Sequence, residues 1–196
     1  MFGILKMFGG SSNGRTAAFG AVNHGSNPCP PVRKIMYTNI LSDFSRVIIK
    51  PMDKSYTVGA LNPIHRELVA KYGEDYDPTP YFELNEELLG FYGSLKERYA
   101  IDLFTTDIIQ NHPLIRPRLE SVFTNIFSAN DLGLDKKESA AYSFIADKLQ
   151  VPTGQIIYID DSVGNTAAAN AAGMKALRYT DNDDEIIEQV SLLLSK

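Results

Sequence analysis

Residues 156–174 read Ile-Ile-Tyr-Ile-Asp-Asp-Ser-Val-Gly-Asn-Thr-Ala-Ala-Ala-Asn-Ala-Ala-Gly-Met, and this stretch decides the fold class. The four apolar residues predict a buried strand that stops at two adjacent carboxylates, Asp160 and Asp161. The alanine-rich run predicts a helix that closes at Gly173, a residue type favoured at helix C-termini. This order of strand, carboxylates and helix is typical of a parallel sheet covered by helices.

Short apolar runs alternate with amphipathic stretches from Tyr37 onward. The pattern predicts strands at 37–42, 100–104, 125–128, 155–159 and 175–179. It predicts helices at 62–72, 85–98, 116–123, 138–149, 165–172 and 183–194. We therefore expect an α/β fold, a three-layer, doubly wound and mostly parallel sheet. A small helical cap insert is expected at about 49–82, between the first two strands.

Composition excludes several classes of protein. The 196 residues are 44% hydrophobic and 22% charged, which suffices for one compact core with a small insert. No apolar run approaches the roughly 18 to 20 residues of a membrane span. A net charge of −5 argues against a nucleic-acid partner. The single cysteine, Cys29, cannot form an internal disulfide, which fits a reducing cytoplasm.

The first 35 residues differ from the rest of the chain. They contain no acidic residue, are rich in glycine and show no regular apolar period. The runs Gly-Ser-Ser-Asn-Gly-Arg-Thr at 10–16 and Gly-Ser-Asn-Pro at 25–28 resemble the conceptual translation of a transfer-RNA gene. We expect 1–35 to be a disordered or non-native leader, with Met36 as the native start and 36–196 as the core domain. A genuine flexible tail is the alternative.

Polar side chains that follow the predicted strands are the candidate functional residues. They are Asp43, Thr105, Lys136, Asp160 and Asp161. The carboxyl ends of parallel strands meet at one sheet edge, where these groups would form a magnesium and phosphoryl site. Each residue alone has an ordinary explanation, because Asp and Thr often cap helices or form turns and two adjacent lysines are often solvated.

Taken together, these segments resemble the haloacid dehalogenase (HAD) superfamily, and most closely its phosphatase-type members. Residues 156–174 resemble its fourth motif. Residues 127–136, Phe-Ser-Ala-Asn-Asp-Leu-Gly-Leu-Asp-Lys, resemble the third, with Lys137 in the place of a usual proline. Residues 103–105, Leu-Phe-Thr, resemble the short second motif, and 40–48, Ile-Leu-Ser-Asp-Phe-Ser-Arg-Val-Ile, resemble the first. The resemblance runs from about 37 to 180.

The resemblance implies a role for each candidate residue. Asp43 would attack a phosphate monoester of a small molecule to give an aspartyl-phosphate, which water then hydrolyses. Mg²⁺ would be held by Asp43, the backbone carbonyl of Ser45 and Asp161, with Asp160 as a second ligand or an orienting group. The residues expected to contact the phosphorylated substrate are Thr105, Thr106, Lys136 and Arg46; a surface ion pair is the alternative for Arg46.

One departure from the family pattern bears on the mechanism. The second aspartate, two residues after the nucleophile, is Ser45 here, and a serine hydroxyl is a poor general acid. General acid-base catalysis contributes about 10² to 10⁴ in rate, so we expect a slower enzyme or one with a good leaving group. A competing alignment puts the first motif at Asp53, but Lys50 and Pro51 are expected to break the strand before it.

Three functions remain open on the sequence. The first is a magnesium-dependent phosphatase or phosphotransferase. The second is a catalytically weakened binding or regulatory protein, which Ser45 favours. The third is a haloacid dehalogenase-type hydrolase that uses Asp43 without metal, which the adjacent Asp160 and Asp161 disfavour. The short insert favours a larger or more open substrate, or closure of the cleft by a partner subunit. His65 and His112 are expected to be exposed and solvated.

Overall fold

A computed structural model describes residues 36–55 and 61–195 of the chain. The predicted leader, and with it the hypothesis about its origin, lies outside these residues, as do 56–60 of the predicted insert. No helix of the described part is long and apolar enough to cross a bilayer.

Five parallel strands form the central sheet. They are β1 (Asn39–Ser42), β4 (Ala100–Thr105), β5 (Asn125–Ser128), β6 (Ile156–Asp160) and β7 (Lys175–Arg178). Their order across the sheet is β5-β4-β1-β6-β7. The first strand lies in the middle and pairs with β4 on one side and β6 on the other. All four of its residues are buried, because a strand covered on both faces has no side that faces solvent. The mostly parallel α/β sheet is confirmed.

Helices cover both faces of the sheet. They are α1 (Asn62–Tyr72), α2 (Glu86–Leu95), α3 (Arg116–Glu120), α4 (Ala129–Leu132), α5 (Ser139–Leu149), α6 (Val163–Ala171) and α7 (Asp183–Leu194). Successive residues of a strand point to opposite faces of the sheet and pack in two separate cores. Ile157 packs in one core with residues of α2, α3 and α7, and Tyr158 packs in the other with residues of α5 and α6. The sequence patterns predicted the bounds of these helices to within a few residues, except for α4, a single turn that was not predicted.

Two helix ends show why these predictions hold. The Asn85 side chain accepts a hydrogen bond from Leu88 N at 3.0 Å and so caps α2. Gly173 follows α6 with φ +94°, and an added Cβ there would lie 3.0 Å from Thr153 Oγ1. Both the left-handed backbone and the close contact favour glycine.

The insert differs from the predicted helical cap. It contains α1 and also an antiparallel pair, β2 (Ile49–Pro51) and β3 (Phe82–Leu84). The expectation that Lys50 and Pro51 break a strand is therefore wrong. Proline lacks an N–H donor, but this two-stranded sheet leaves strand edges without partners, where that loss is tolerated. Apolar residues of the insert, such as Leu68 and Phe82, join the core on the α2 and α7 face.

Candidate active site

Three carboxylates meet at the carboxyl ends of β1 and β6. Asp43 directly follows β1, and its backbone N–H donates to Ile159 O at 2.8 Å, which fixes it beside the end of β6. One carboxylate oxygen each from Asp43, Asp160 and Asp161 lies within 4.8 Å of the others. Carboxylates this close repel one another unless cations compensate.

Lys136 supplies one of those cations. Its ammonium lies 2.5 Å from Asp43 Oδ1 and 3.0 Å from Asp160 Oδ2, and it donates to Phe104 O at 3.0 Å. Only 4% of the residue is exposed, so the solvated lysine pair is wrong. Burial lowers the pKa of Lys136, but the two carboxylates raise it by more, so the side chain stays charged.

The pKa of the Asp43 carboxyl is shifted upward. Burial is the largest cause, the Lys136 ammonium opposes it, and the neighbouring Asp160 adds to it. Ionised Asp43 therefore needs more positive charge than Lys136 supplies.

Asp160 is held by several donors. Its Oδ1 accepts from Ser162 N at 2.8 Å, and its Oδ2 accepts from Asn165 Nδ2 at 3.0 Å and from the Tyr158 hydroxyl. The helix cap of α6 is Ser162 itself, whose side chain accepts from Asn165 N. The alternative that the two aspartates serve as the cap of α6 is therefore wrong. Asp161 is partly exposed, and burial and Asp160 raise its pKa while Arg46 lowers it.

Thr105 is the last residue of β4 and Thr106 is the first residue of the loop after it, and the two make different contacts. The Thr105 hydroxyl is buried and accepts from Asp107 N at 2.9 Å. Thr106 contributes its backbone carbonyl, which accepts from Asn62 Nδ2 at 3.0 Å and from Asn130 Nδ2 at 2.5 Å. Thr105 thus shapes this loop, and Thr106 ties it to α1 and α4.

Asp107 is the site residue that sequence reasoning missed. It is fully buried, and burial raises its pKa, against the Lys136 ammonium and the nearby Ser45 hydroxyl. Asp107 Oδ1 and Ser45 Oγ are both buried without a hydrogen-bond partner of good geometry among the described residues. Its position two residues after Thr105, at the end of a predicted strand, was the available signal.

The turn after Asp43 brings Ser45 and Arg46 to the same edge. Arg46 has φ +64°, a left-handed conformation that is uncommon for a non-glycine residue and is found at functional turns. Its backbone N–H donates to Ile49 O at 2.7 Å, which closes the turn. Arg46 and Asp161 line one cavity, so the structure brings this arginine to the carboxylate cluster.

Three other candidates lie outside the cluster. His65 and His112 are 9% and 4% exposed, so the expectation that they are solvated is wrong. Both pack against Tyr76, whose hydroxyl lies 2.8 Å from His65 Nδ1 and whose ring centroid lies 4.9 Å from that of His112. Asp53 is exposed and its side chain accepts from Ser55 N, so it does not take part in the carboxylate cluster.

Comparison with protein-family models gives no match. A curated protein, drimenol cyclase drtB from Aspergillus calidoustus, is 22% identical over 64 residues. That alignment covers 33% of this chain and 12% of the cyclase, so the chain spans only a small part of that relative.

Solved structures match over most of the chain. A HAD-superfamily hydrolase from Ehrlichia chaffeensis has a TM-score of 0.58 at 16% identity, over 81% of this chain and 98% of that one. A 2-haloacid dehalogenase from Pseudomonas syringae has a TM-score of 0.56 at 12% identity, over 82% and 99%. A HAD family enzyme from Bacteroides thetaiotaomicron, solved with magnesium and inorganic phosphate, has a TM-score of 0.52 at 12% identity, over 74% and 96%. The chain therefore has the fold of the HAD superfamily, as its sequence motifs predicted.

Proposed function

We propose that this protein is a magnesium-dependent hydrolase that cleaves a phosphate monoester through Asp43. The observation that carries the proposal is the cluster of Asp43, Asp160 and Asp161 around one buried ammonium. The three carboxylates outnumber the two cations beside them, Lys136 and Arg46, and leave a charge that a divalent cation would balance. Hard oxygen ligands suit Mg²⁺. The Bacteroides thetaiotaomicron enzyme of the same fold was solved with magnesium and phosphate, which supports the choice of ion and substrate.

The carboxylates of the site differ in how many hydrogen bonds their oxygen atoms already accept. Asp43, Asp161 and the backbone carbonyl of Ser45 are the proposed ligands. Asp160 already accepts from three donors besides Lys136, so orienting the site is its main role. When bound, Mg²⁺ would neutralise charge on the phosphate and on these carboxylates.

Asp43 is the proposed nucleophile. A carboxylate oxygen bonds to phosphorus while the ester P–O bond breaks, and the electron pair of that bond leaves with the alcohol oxygen. Water then attacks phosphorus, the bond between phosphorus and Asp43 breaks, and inorganic phosphate is released. Lys136, 2.5 Å from Asp43, would hold the carboxylate in place and offset negative charge as it builds on the phosphoryl oxygens. Phosphoryl contacts from Thr105, Thr106 and Arg46 remain predictions.

The leaving oxygen needs a proton that Ser45 supplies poorly. The Asp107 carboxyl lies near Ser45, and its raised pKa favours the protonated form that an acid catalyst requires. The raised pKa of Asp107 therefore supports the hypothesis that Asp107 replaces the missing aspartate. The alternative is a substrate whose leaving group departs without a proton donor.

Ser45 is also the observation that favours the second candidate function, a binding or regulatory protein that retains the site and has lost turnover. A dehalogenase with the same fold shows that the third candidate is compatible with the architecture. The three carboxylates disfavour it, because a nucleophile that works without metal gains nothing from two further acids beside it.

One set of assays separates the three functions. Release of nitrophenol from p-nitrophenyl phosphate is measured with magnesium, and again after a chelator removes it. We expect turnover that depends on magnesium. Bound magnesium with no turnover would favour the binding protein, and chloride release from chloropropionate without metal would favour the dehalogenase.

A further inference from the structure

A second feature of the molecule is a cavity that borders the carboxylate cluster at Asp161. Its volume is about 630 Å³, within the range of small-molecule sites. Four basic side chains line it, namely Arg46, Lys50, Lys54 and Arg178. We call it the basic cavity.

The bases come from three separate parts of the fold. Arg46 belongs to the left-handed turn after Asp43, and Lys50 and Lys54 belong to β2 and the loop that follows it. Arg178 ends β7, and its Nε donates to the backbone carbonyl of Asp161 at 3.3 Å. The convergence of a turn, the insert and the last strand on one cavity puts positive charge next to the proposed phosphate site.

The acids that line the basic cavity do not cancel this charge. They are Glu83, Asp161 and Asp181. Asp181 is paired with Lys50 at 2.5 Å, and the same ammonium donates to the Tyr179 hydroxyl at 3.0 Å. Asp161 belongs to the proposed magnesium site, whose ion would offset its charge. With Glu83 included, three acids face four bases, so the basic cavity has an excess of positive charge although the whole chain is acidic.

We infer that the basic cavity binds a second anionic group of the substrate, so that the substrate is a phosphate monoester that also carries a carboxylate or another phosphate. The inference rests on the proposed function, because it places the scissile phosphate at Asp43. Asp161 links the two positions, since it lines the basic cavity and its carboxylate lies within 4.8 Å of that of Asp43. Arginine and lysine suit both carboxylate and phosphate groups.

The first test compares three aryl phosphates with the wild-type protein and its variants. Phenyl phosphate has no second anion, para-carboxyphenyl phosphate adds a carboxylate, and para-phenylene bisphosphate adds a phosphate. We expect wild type to favour one or both compounds with a second anionic group over phenyl phosphate, by about tenfold in kcat/KM and mainly through KM. Arg178→Gln and Lys54→Gln are each expected to remove most of that preference. The control Lys148→Gln makes the same charge change on α5, outside the basic cavity, and should keep it.

The second test measures binding without turnover. In the presence of magnesium, calorimetry compares phenylphosphonate with para-carboxyphenylphosphonate and with para-phenylene bisphosphonate. We expect a carboxylate or second phosphonate to strengthen binding about tenfold in wild type and in Lys148→Gln, and much less in Arg178→Gln. Lys54 is exposed in a loop, so Lys54→Gln keeps the test valid if Arg178→Gln does not fold.

The two proposals fail in different ways. If phenyl phosphate is hydrolysed but no compound with a second anionic group is preferred or bound more tightly, the basic cavity has no such role and the phosphatase proposal stands. If nothing is hydrolysed but the phosphonates with a second anionic group bind more tightly through Arg178 and Lys54, the proposed turnover is wrong and the anion site stands. Equal preference in wild type and both cavity variants would overturn the inference.

Discussion

The two halves of the candidate site differ in how their buried polar atoms are satisfied. In the paired half, around Lys136 and Asp160, the ammonium and the carboxylate both have several partners. In the open half, Ser45 Oγ and Asp107 Oδ1 are buried without a partner of good geometry among the described residues. An unsatisfied buried polar atom costs about 1 to 3 kcal/mol, and such a cost is tolerated where a ligand or water completes the bond. The hydrogen bonds of the paired half thus hold its side chains in position. The polar atoms of the open half are available to bind the substrate or water.

The largest expected effect comes from the nucleophile, which adjoins both halves. Asp43→Asn keeps the shape of the side chain and removes the attacking carboxylate, so turnover of p-nitrophenyl phosphate should fall at least about a thousandfold. Circular dichroism should show an intact fold. The matched control is Asp53→Asn, at the exposed acid of the competing alignment, which should stay close to wild type. Residual activity above about a tenth in Asp43→Asn would overturn the assignment.

The next effect separates stability from metal binding within the carboxylate pair. Asp160→Asn weakens the acceptor shared by Lys136, Tyr158 and Asn165, so we expect it to lower the free energy of unfolding by about 1 to 3 kcal/mol. Asp161→Asn should weaken magnesium binding about tenfold or more with a smaller loss of stability. Thermal unfolding and calorimetric titration of magnesium measure the two quantities. The reverse order in both would exchange the roles of the two residues.

How much of this site the sequence predicts follows from how its residues are placed. Asp43, Lys136, Asp160 and Asp161 were expected together, because each closes a strand or follows one shortly and parallel strands end at one edge. The end of a strand can be predicted from local sequence, because a short apolar run is followed there by a polar residue. The structure brings the three carboxylates together, with Lys136 paired to Asp43 and Asp160, while the roles of these residues stay predictions.

What the sequence did not predict depends on contacts between distant segments. The burial of His65 and His112 depends on Tyr76, which packs against both, and the charge of the basic cavity depends on the pair of Lys50 with Asp181. The pairing of β2 with β3 spans the whole insert. These contacts join residues that are far apart in the sequence, so no periodic pattern of apolar residues predicts them. They are seen only in the folded structure.

The dependence of stability on pH provides a third test. Burial is the largest cause of the raised pKa of Asp43, Asp107 and Asp161. The folded protein then binds more protons than the unfolded chain, so stability falls as the pH rises above the ordinary value of 3.8. For Asp43 the fall continues to its pKa of about 8 and amounts to at most about 1.4 kcal/mol per pH unit. Lys136, with a raised pKa, adds no slope in this range, because it is charged in both states.

Metal-free protein should therefore unfold at a lower temperature at pH 8 than at pH 5, and magnesium should reduce the difference. The lowered pKa of His65 acts in the opposite direction below 6.5, so wild type is compared with Asp43→Asn, in which His65 is unchanged. The variant should show a flatter profile. Parallel profiles for the two proteins would mean that Asp43 is ionised as readily in the folded state as in the unfolded chain.

The last test concerns the open half, where Ser45 stands in place of an acid. Ser45→Asp should raise turnover of alkyl phosphates relative to aryl phosphates by up to about 10², because only a poor leaving group needs protonation in the transition state. Ser45→Asn matches the size without the acid and should leave that ratio unchanged. If Asp107 already donates the proton, Asp107→Asn should shift the same ratio the other way, toward aryl phosphates. The new carboxylate would lie close to Asp107, so repulsion between them would raise both pKa values and favour a protonated acid. An equal fall on both substrate classes in Ser45→Asp, with no shift in Asp107→Asn, would mean that no acid acts from the open half and that the natural leaving group departs unaided.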